Sequence, residues 1–202
     1  MKGIFTIMIA TMLSAPTFAA DISGKVGIAS DNIFRGISMS DGFGYSAQGS
    51  VSLDNGIFAG ASVMSLDENS DLMTTMLVGY GFDLGGVDFN VAYVDRGFQG
   101  VDIDGWEELN VRADFDLFGV YYSKGLDDAG DFYKVDSSAL KVVDVAYGDW
   151  DNAGSYWEVS KSFDLAAGSV KVGYIDHELN DEDFSDKITD VDNFYVGYTY
   201  KF

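Results

Sequence analysis

The sequence predicts an all-β fold: a transmembrane, antiparallel, up-and-down β-barrel of ten strands, with twelve as the alternative. Three observations predict it. The last ten residues place Phe194, Val196, Tyr198, Tyr200 and Phe202 on one face of a strand, and Asn193, Tyr195, Gly197, Thr199 and Lys201 on the other, because successive side chains in a strand point to opposite sides. The same period-2 alternation returns in nearly every segment between turn signals. The connections fall into a short and a long class that alternate, as expected of short periplasmic turns and long external loops.

Residues 1–19 read as a secretory signal: Lys2 supplies a positive start, Ile4 to Leu13 an apolar run, and Thr17-Phe18-Ala19 a cleavage site. Cleavage is expected after Ala19, leaving residues 20–202 as the barrel. The apolar run is shorter than the about 20 residues of a spanning helix. Nothing after it reads as a helical span, so a membrane would have to be crossed by a closed barrel, the other structure that satisfies every backbone group in hydrocarbon. With 0 Cys there is no disulfide and no thiol chemistry. A formal charge of −21 argues against nucleic acid as a partner.

The strands follow in order. Tyr45 to Leu53 sets Tyr, Ala, Gly, Val and Leu against Ser46, Gln48, Ser50 and Ser52. Leu72 to Phe82 sets Met76, Val78, Tyr80 and Phe82 against Thr75, Gly79 and Gly81. Val87 to Tyr93 opposes Val87, Phe89, Val91 and Tyr93 to Asp88, Asn90 and Ala92. Leu109 to Phe115 opposes Leu109, Val111, Ala113 and Phe115 to Asn110, Arg112 and Asp114. Val170, Val172 and Tyr174 oppose Lys171, Gly173 and Ile175. This regularity is the barrel signature.

The short connections are Asp54-Asn55-Gly56, with an Asn-Gly hairpin signal, and the segments 82–86, 115–118 and 163–168, which share Phe-Asp-Leu. The long ones fall near 30–44, 65–71, 95–105, 125–154 and 176–192. Within the fourth, residues 131–136 and 138–148 could form an extra hairpin. Ten strands are preferred because a strand from Ser138 would put Lys141 and Asp144 on opposite faces, and a lipid-facing Lys costs about 2–4 kcal/mol at the midplane.

The long loops hold much of the acid: Asp67, Glu68 and Asp71; Asp102 and Asp104; Asp127, Asp128, Asp131 and Asp136; and Asp181, Glu182, Asp183, Asp186, Asp190 and Asp192. They read as a solvated face, a cation-concentrating vestibule, or a rim bridged by divalent ions to lipopolysaccharide. None has the EF-hand pattern, so no metal site is assigned.

Ser30-Asp-Asn-Ile-Phe-Arg-Gly-Ile-Ser38 is the most distinctive stretch. With Ser40-Asp41-Gly42 and Ala47-Gln48-Gly49-Ser50, it resembles the N-terminal signature of the TorF family (Gcw_chp type) of bacterial outer-membrane porins. Gly56 to Gly60, Tyr121 to Lys124, Tyr156 to Phe163 and Val172 to Tyr174 extend the resemblance. It implies a barrel of about twelve strands and small-solute passage. Against that pattern the chain stops one hairpin early and carries extra sequence between about 130 and 150. The final Tyr198, Tyr200 and Phe202 resemble the aromatic C-terminal signal recognised by the barrel assembly machinery.

Inward-facing charges would carry any selectivity. On the alternation these are Asp88, Glu108, Arg112 and Asp114, with Glu158 and Lys171 on later strands and Arg35 from the signature motif. An alternative makes them structural pairs filling a narrow lumen, since eight strands leave an interior just filled by side chains. Acids outnumber bases in the set, so an open pore should prefer cations.

His177, flanked by Asp176 and Glu178, reads as an exposed rim residue. A barrel hydrolase built on it has no identifiable second group, so no catalytic residue is assigned. Trp106 and Trp157 suit a membrane-interface belt; Trp150 lies near a predicted external end. The functional expectation is a porin-like channel in the outer membrane, passing small polar solutes or cations without a cofactor. The alternative is a closed barrel acting through its acidic loops. Its surroundings would be outer-membrane lipid and lipopolysaccharide, and its oligomeric state is open.

Overall fold

The structure, a computed structural model, describes residues 20–40, 42–66, 71–101, 104–126, 129–140, 142–151, 153–179 and 191–202. Residues 1–19, read above as a secretory signal, lie outside these residues. So do Asp67, Glu68, Asp102, Asp127, Asp128, Asp181, Glu182, Asp183, Asp186 and Asp190.

The described chain is all β. Strand β1 (Ala20–Ala29) is followed by two short strands, β2 (Ile33–Phe34) and β3 (Ile37–Ser38), which pair only with each other. Then come β4 (Gly44–Leu53), β5 (Ile57–Ser65), β6 (Leu72–Leu84), β7 (Val87–Gln99), β8 (Trp106–Asp114) and β9 (Gly119–Gly125). The remainder are β10 (Phe132–Ser137), β11 (Asp144–Trp150), β12 (Gly154–Leu165), β13 (Gly168–Leu179) and β14 (Val191–Lys201). All but β2 and β3 join one closed antiparallel barrel, each strand paired with its sequence neighbours. The ring shuts by β14 pairing with β1, Lys201 opposite Lys25 and Tyr198 opposite Ile28. Reciprocal backbone bonds between Gly24 and Phe202 extend that seam to the last residue.

The barrel has twelve strands, not ten. The extra pair is β10–β11, in register from Phe132 opposite Trp150 to Ser137 opposite Val145. The charge objection fails because β11 begins at Asp144 rather than Ser138, and Lys141 precedes it, outside the described residues. From Asp144 the alternation is regular. Ala146 and Trp150 are buried inside while Tyr147 sits on the outer side with Tyr133 and Trp157. The rule of alternating connections hid this hairpin, because the link from β11 to β12 spans only 151–153 at the end where the others are long.

Two faces follow from the pleat. The outer face carries Ile22, Val26, Ile28, Met76, Val78, Tyr80, Val159, Val172, Phe194 and Val196, all exposed. At the end bearing the short turns, Phe-Asp-Leu puts Phe82 and Leu84, and again Phe163 and Leu165, on the outside. The intervening Asp83 and Asp164 take the opposite side of the strand. Tight reversals there use Gly85 and Gly86, both at positive φ, the left-handed backbone that glycine adopts without steric cost. A soluble sheet protein would not place its large apolar side chains around the whole outside of a ring.

The core is off-centre, near the loop end. It gathers Ile37, Phe132, Trp150, Ala153, Tyr156 and Ile175, with Ile33, Phe34, Met39, Trp106 and Tyr121 packed against them. Three of its members, Ile33, Phe34 and Ile37, belong to the β2–β3 hairpin. The long connection after β1 therefore does not project outward: it folds back into the barrel.

Candidate functional site

The hairpin is held in the lumen by contacts around the ring. Asp31 and Asn32 at its base are buried. Asn32 Nδ2 donates to the carbonyl oxygen of Ser65 at 2.8 Å and to its Oγ at 3.0 Å. Asn193 Nδ2, on β14, donates to Asp31 Oδ2 at 2.7 Å. Ser38 and Ser40 hydroxyls donate to the other Asp31 oxygen. Asp31, Asn32, Ser38 and Ser40 of the distinctive motif thus build the hairpin's base.

At its tip Arg35 and Gly36 both have positive φ, 51° and 89°, the tight reversal a two-residue hairpin needs. Gly36 sits against the rings of Tyr156 and His177, where a Cβ would come within 2.5 Å and 2.7 Å. Arg35 Nη2 lies 2.7 Å from Glu108 Oε1 and 3.2 Å from the Ser123 hydroxyl. Its guanidinium lies 4.5 Å from the ring centre of Phe132 and 5.0 Å from that of Trp150. Glu108 is wholly buried and also meets Arg96 Nη2 at 3.3 Å and accepts from Trp106 Nε1 at 2.6 Å. Two guanidinium groups thus share one carboxylate, leaving one net positive charge in a low-dielectric enclosure.

Two more ion-paired groups line the inside. Arg112 donates to both oxygens of Asp114 (2.9 and 2.8 Å) and, bidentate at 3.0 Å, to Asp136. Lys134 lies 3.6 Å from the same Asp136. Glu158 on β12 accepts from Lys171 on β13 and from the Tyr195 hydroxyl on β14. Together these groups line the side of the lumen made by β8 to β14.

The opposite side is different. There the inward residues of β1 and β4 to β6 are mostly Ser, Gly, Gln and Thr. A cavity of about 940 Å³ lies against them, bounded toward the hairpin by Ile33 and Phe34 and on its β7–β8 wall by Asn90, Arg96, Asn110 and Arg112. Among the described residues its charged wall groups are Lys25, Arg96 and Arg112, with no acid among them.

The expected inward residues are placed as follows. Asp88 faces inward, exposed near the turn end, opposite Asp114 on the neighbouring strand. Arg112 reaches the cavity directly. Glu108 faces inward but is sealed beneath the hairpin, and Arg35 sits in the hairpin itself. Glu158 and Lys171 are joined to each other. The expected cation preference rested on acids outnumbering bases in this set; Glu108, Asp114 and Glu158 are each tied to a base, whereas Asp88 is exposed.

Other expectations are corrected. His177 is not an exposed rim residue: it is 2% exposed and packed beside Gly36. Flanking Asp176 and Glu178 take the other side of the strand, so they cannot form a rim site with it. Trp157 is outward and 60% exposed, as an interface residue should be. Trp106 instead points inward to Glu108, and Trp150 is buried, donating to the Ala129 carbonyl at 2.7 Å. Asp136 is a lumen residue, not a loop one.

Sequence reasoning missed Arg96; it placed Asn110 and Tyr195 on the polar face but gave them no role. For Arg96 a signal existed: the alternation Asp88, Asn90, Ala92, Val94 continues to Arg96 and Phe98, two turns of the pleat past where the strand was ended.

Among solved structures, the chain is similar to the KdgM porin, with a TM-score of 0.56, 14% identity, and 89% of this chain and 99% of that chain covered. The KdgM porin in complex with disordered oligogalacturonate aligns with a TM-score of 0.54 at 14% identity, covering 91% and 99%. Likeness at this identity establishes the fold, a closed porin-type barrel. No protein-family model matches the chain, so the TorF resemblance is not confirmed. No curated relative matches either.

Proposed function

We propose that the chain is an outer-membrane, porin-like channel for small polar solutes, its lumen narrowed by the β2–β3 hairpin. The observation that carries this is the pairing of an apolar outer face with an inner cavity of about 940 Å³, lined by Ser, Thr, Gln, Asn and basic side chains among apolar ones, in one closed ring. A ring that only stiffened or anchored a surface would gain by filling that space, since packed interiors leave few voids larger than a water molecule. The fold shared with the KdgM porin supports the same reading. Residues 1–19 would direct export, and the turn end, with Tyr198, Tyr200 and Phe202, would face the periplasm and the assembly machinery. The loop end would meet lipopolysaccharide.

Passage would be passive, set by Arg35, Arg96 and Glu108 at the narrow level and by Asp88, Arg112, Asp114, Glu158 and Lys171 along the wall. Polar solutes fit the Ser- and Gln-lined side; a cation has no unpaired acid to meet at the cavity wall.

One observation favours a second reading, a closed barrel acting through its loops: the hairpin and its aromatic neighbours form a buried core across part of the ring. Planar-bilayer recording on the mature protein decides between them. Steps of conductance support the channel. A silent protein that still fractionates with the outer membrane and shows heat-modifiable migration leaves the closed barrel standing.

A further inference from the structure

The wall of the barrel is uneven in height. A strand needs about 9–11 residues to pass the hydrocarbon of a bilayer. β6 and β7 have 13 residues each, β12 and β13 have 12, and β14 has 11. β9, β10 and β11 have only 7, 6 and 7. The outer apolar band shrinks with them. β6 presents five large apolar side chains from Met76 to Leu84, and β14 with the final residue five from Phe194 to Phe202. By the pleat, β9 to β11 present two each: Val120 and Tyr122, Tyr133 and Val135, Val145 and Tyr147.

Toward the loop end that short band stops at charge. The Tyr122 hydroxyl donates to Asp131 at 2.6 Å, and Lys124 Nζ lies 2.8 Å from the same carboxylate. The Tyr147 hydroxyl donates to Asp149 at 3.4 Å. Any further apolar height has to come from the turn end.

There the tips differ in kind. The links after β4, β6 and β12 have polar or small tips: Asp54-Asn55-Gly56, Gly85-Gly86 and Ala166-Ala167. The two that serve the short strands carry large apolar side chains instead. Between β8 and β9, Phe115 and Phe118 stack with ring centres 4.7 Å apart, and Leu117 is exposed. Between β10 and β11, Leu140 and Val142 are exposed. The Ser137 hydroxyl donates to the Leu117 carbonyl at 2.6 Å, so the two tips adjoin. Phe118 continues the outward line of Val120 and Tyr122. A group of exposed apolar side chains of this kind marks a contact surface.

A bilayer answers both the missing height and the apolar tips, because hydrocarbon already covers the wall with which the tips are continuous. A short apolar stretch otherwise obliges the bilayer to thin. Asp116, exposed between Phe115 and Leu117, sets the depth: its carboxylate stays among headgroups while its neighbours dip beneath them. We infer that the β8–β9 and β10–β11 tips are lipid-contact elements, seated at the headgroup–acyl boundary of the turn-side leaflet, where they complete the apolar band that β9 to β11 are too short to supply. The inference rests on the membrane part of the reading above and is independent of whether the lumen conducts.

Nitroxide labelling tests it, since the chain has 0 Cys and a single introduced cysteine reports one position. Labels on Leu140→Cys and Val142→Cys are compared with Val159→Cys on the outer face and Asp54→Cys at a polar tip, the mature barrel being folded into vesicles of phosphatidylethanolamine and phosphatidylglycerol. Collision with oxygen, which concentrates in lipid, is measured against collision with a water-soluble nickel chelate. The oxygen-to-nickel ratio at Leu140 and Val142 should approach that at Val159 and exceed that at Asp54 severalfold. A ratio at both tip positions equal to that at Asp54 would overturn the inference. So would labels sheltered from both reagents, which would make a second copy of the chain the occupant. Should one tip variant fail to insert, the other decides. The two readings fail separately: an aqueous ratio at Val159 overturns the membrane reading and the inference with it, whereas lipid at Val159 with water at the tips overturns the inference alone.

Discussion

Arg35 and Glu108 meet at 2.7 Å with side chains 5% and 0% exposed, one on a hairpin inside the barrel and the other on its wall. A pair so enclosed fixes the hairpin's position more than it adds stability, because desolvation offsets most of the attraction. Removing one partner is another matter.

Glu108→Gln leaves Arg35 and Arg96 facing each other without a counter-charge. The expected cost is about 3–5 kcal/mol, the usual penalty for stranding a buried charge, read as a lower denaturation midpoint in detergent. The double variant Arg35→Met, Glu108→Gln should lose less than the two single losses added, because the Arg35 charge is no longer stranded and only Arg96 is left without its carboxylate. Additive losses would mean the pair does not couple.

Gly36→Val pushes a side chain into Tyr156 and His177 from a backbone conformation that branched residues avoid. The hairpin should unseat while the barrel persists. Conductance per channel should rise, and migration of the unheated protein should be unchanged. Lower conductance, or a barrel that no longer forms, would contradict the hairpin's role as a separable obstruction.

Trp157 and Trp106, assigned alike by sequence, should behave oppositely in brominated lipid. Quenching of tryptophan emission should fall sharply in Trp157→Phe and stay unchanged in Trp106→Phe, which tests directly which face meets lipid.

Asp131, just before β10, accepts from Lys124 at 2.8 and 2.9 Å and from the Tyr122 hydroxyl at 2.6 Å. These bonds, that of Lys124 first, hold its carboxyl below the ordinary value. A depressed carboxyl contributes stability above its unfolded pKa and loses it as pH falls through the folded one. Lys124→Met should therefore lower the melting temperature slightly at neutral pH and cease to matter in strong acid. Because Asp131 is at the surface, the effect should also shrink in high salt.

Deletion of Phe202 should lower the yield of folded barrel several-fold in membranes, more than it alters conductance of the molecules that do fold. Phe202 supplies both backbone bonds to Gly24 at the seam, and its ring lies over Gly24. A deletion that folds normally and only changes conductance would reverse that assignment.

Much of the barrel was legible because lipid enforces the pleat: a residue such as Val78 or Tyr198 has one side it can occupy, so alternation survives to be read. The strand count was misjudged where a single charge, Lys141, was assigned to a strand it only precedes. The lumen was half legible. Parity placed Asp88, Glu108, Arg112 and Asp114 on the inner side correctly. Partnership was invisible, because Arg112 with Asp136, and Arg35 with Glu108, join strands by register and a folded-in loop. Neither leaves a local trace. His177 shows the same limit: its acidic neighbours suggested a wet rim, whereas parity alone would have sent it inward.

The β2–β3 hairpin hangs from β1, and β1 is also one lip of the seam that closes the ring. Its Asp31 accepts a hydrogen bond from Asn193, on the other lip. The obstruction and the closure therefore share a bond that exists only when the first and last strands are side by side. A chain with an open seam would also lose one of the bonds that anchor the internal piece.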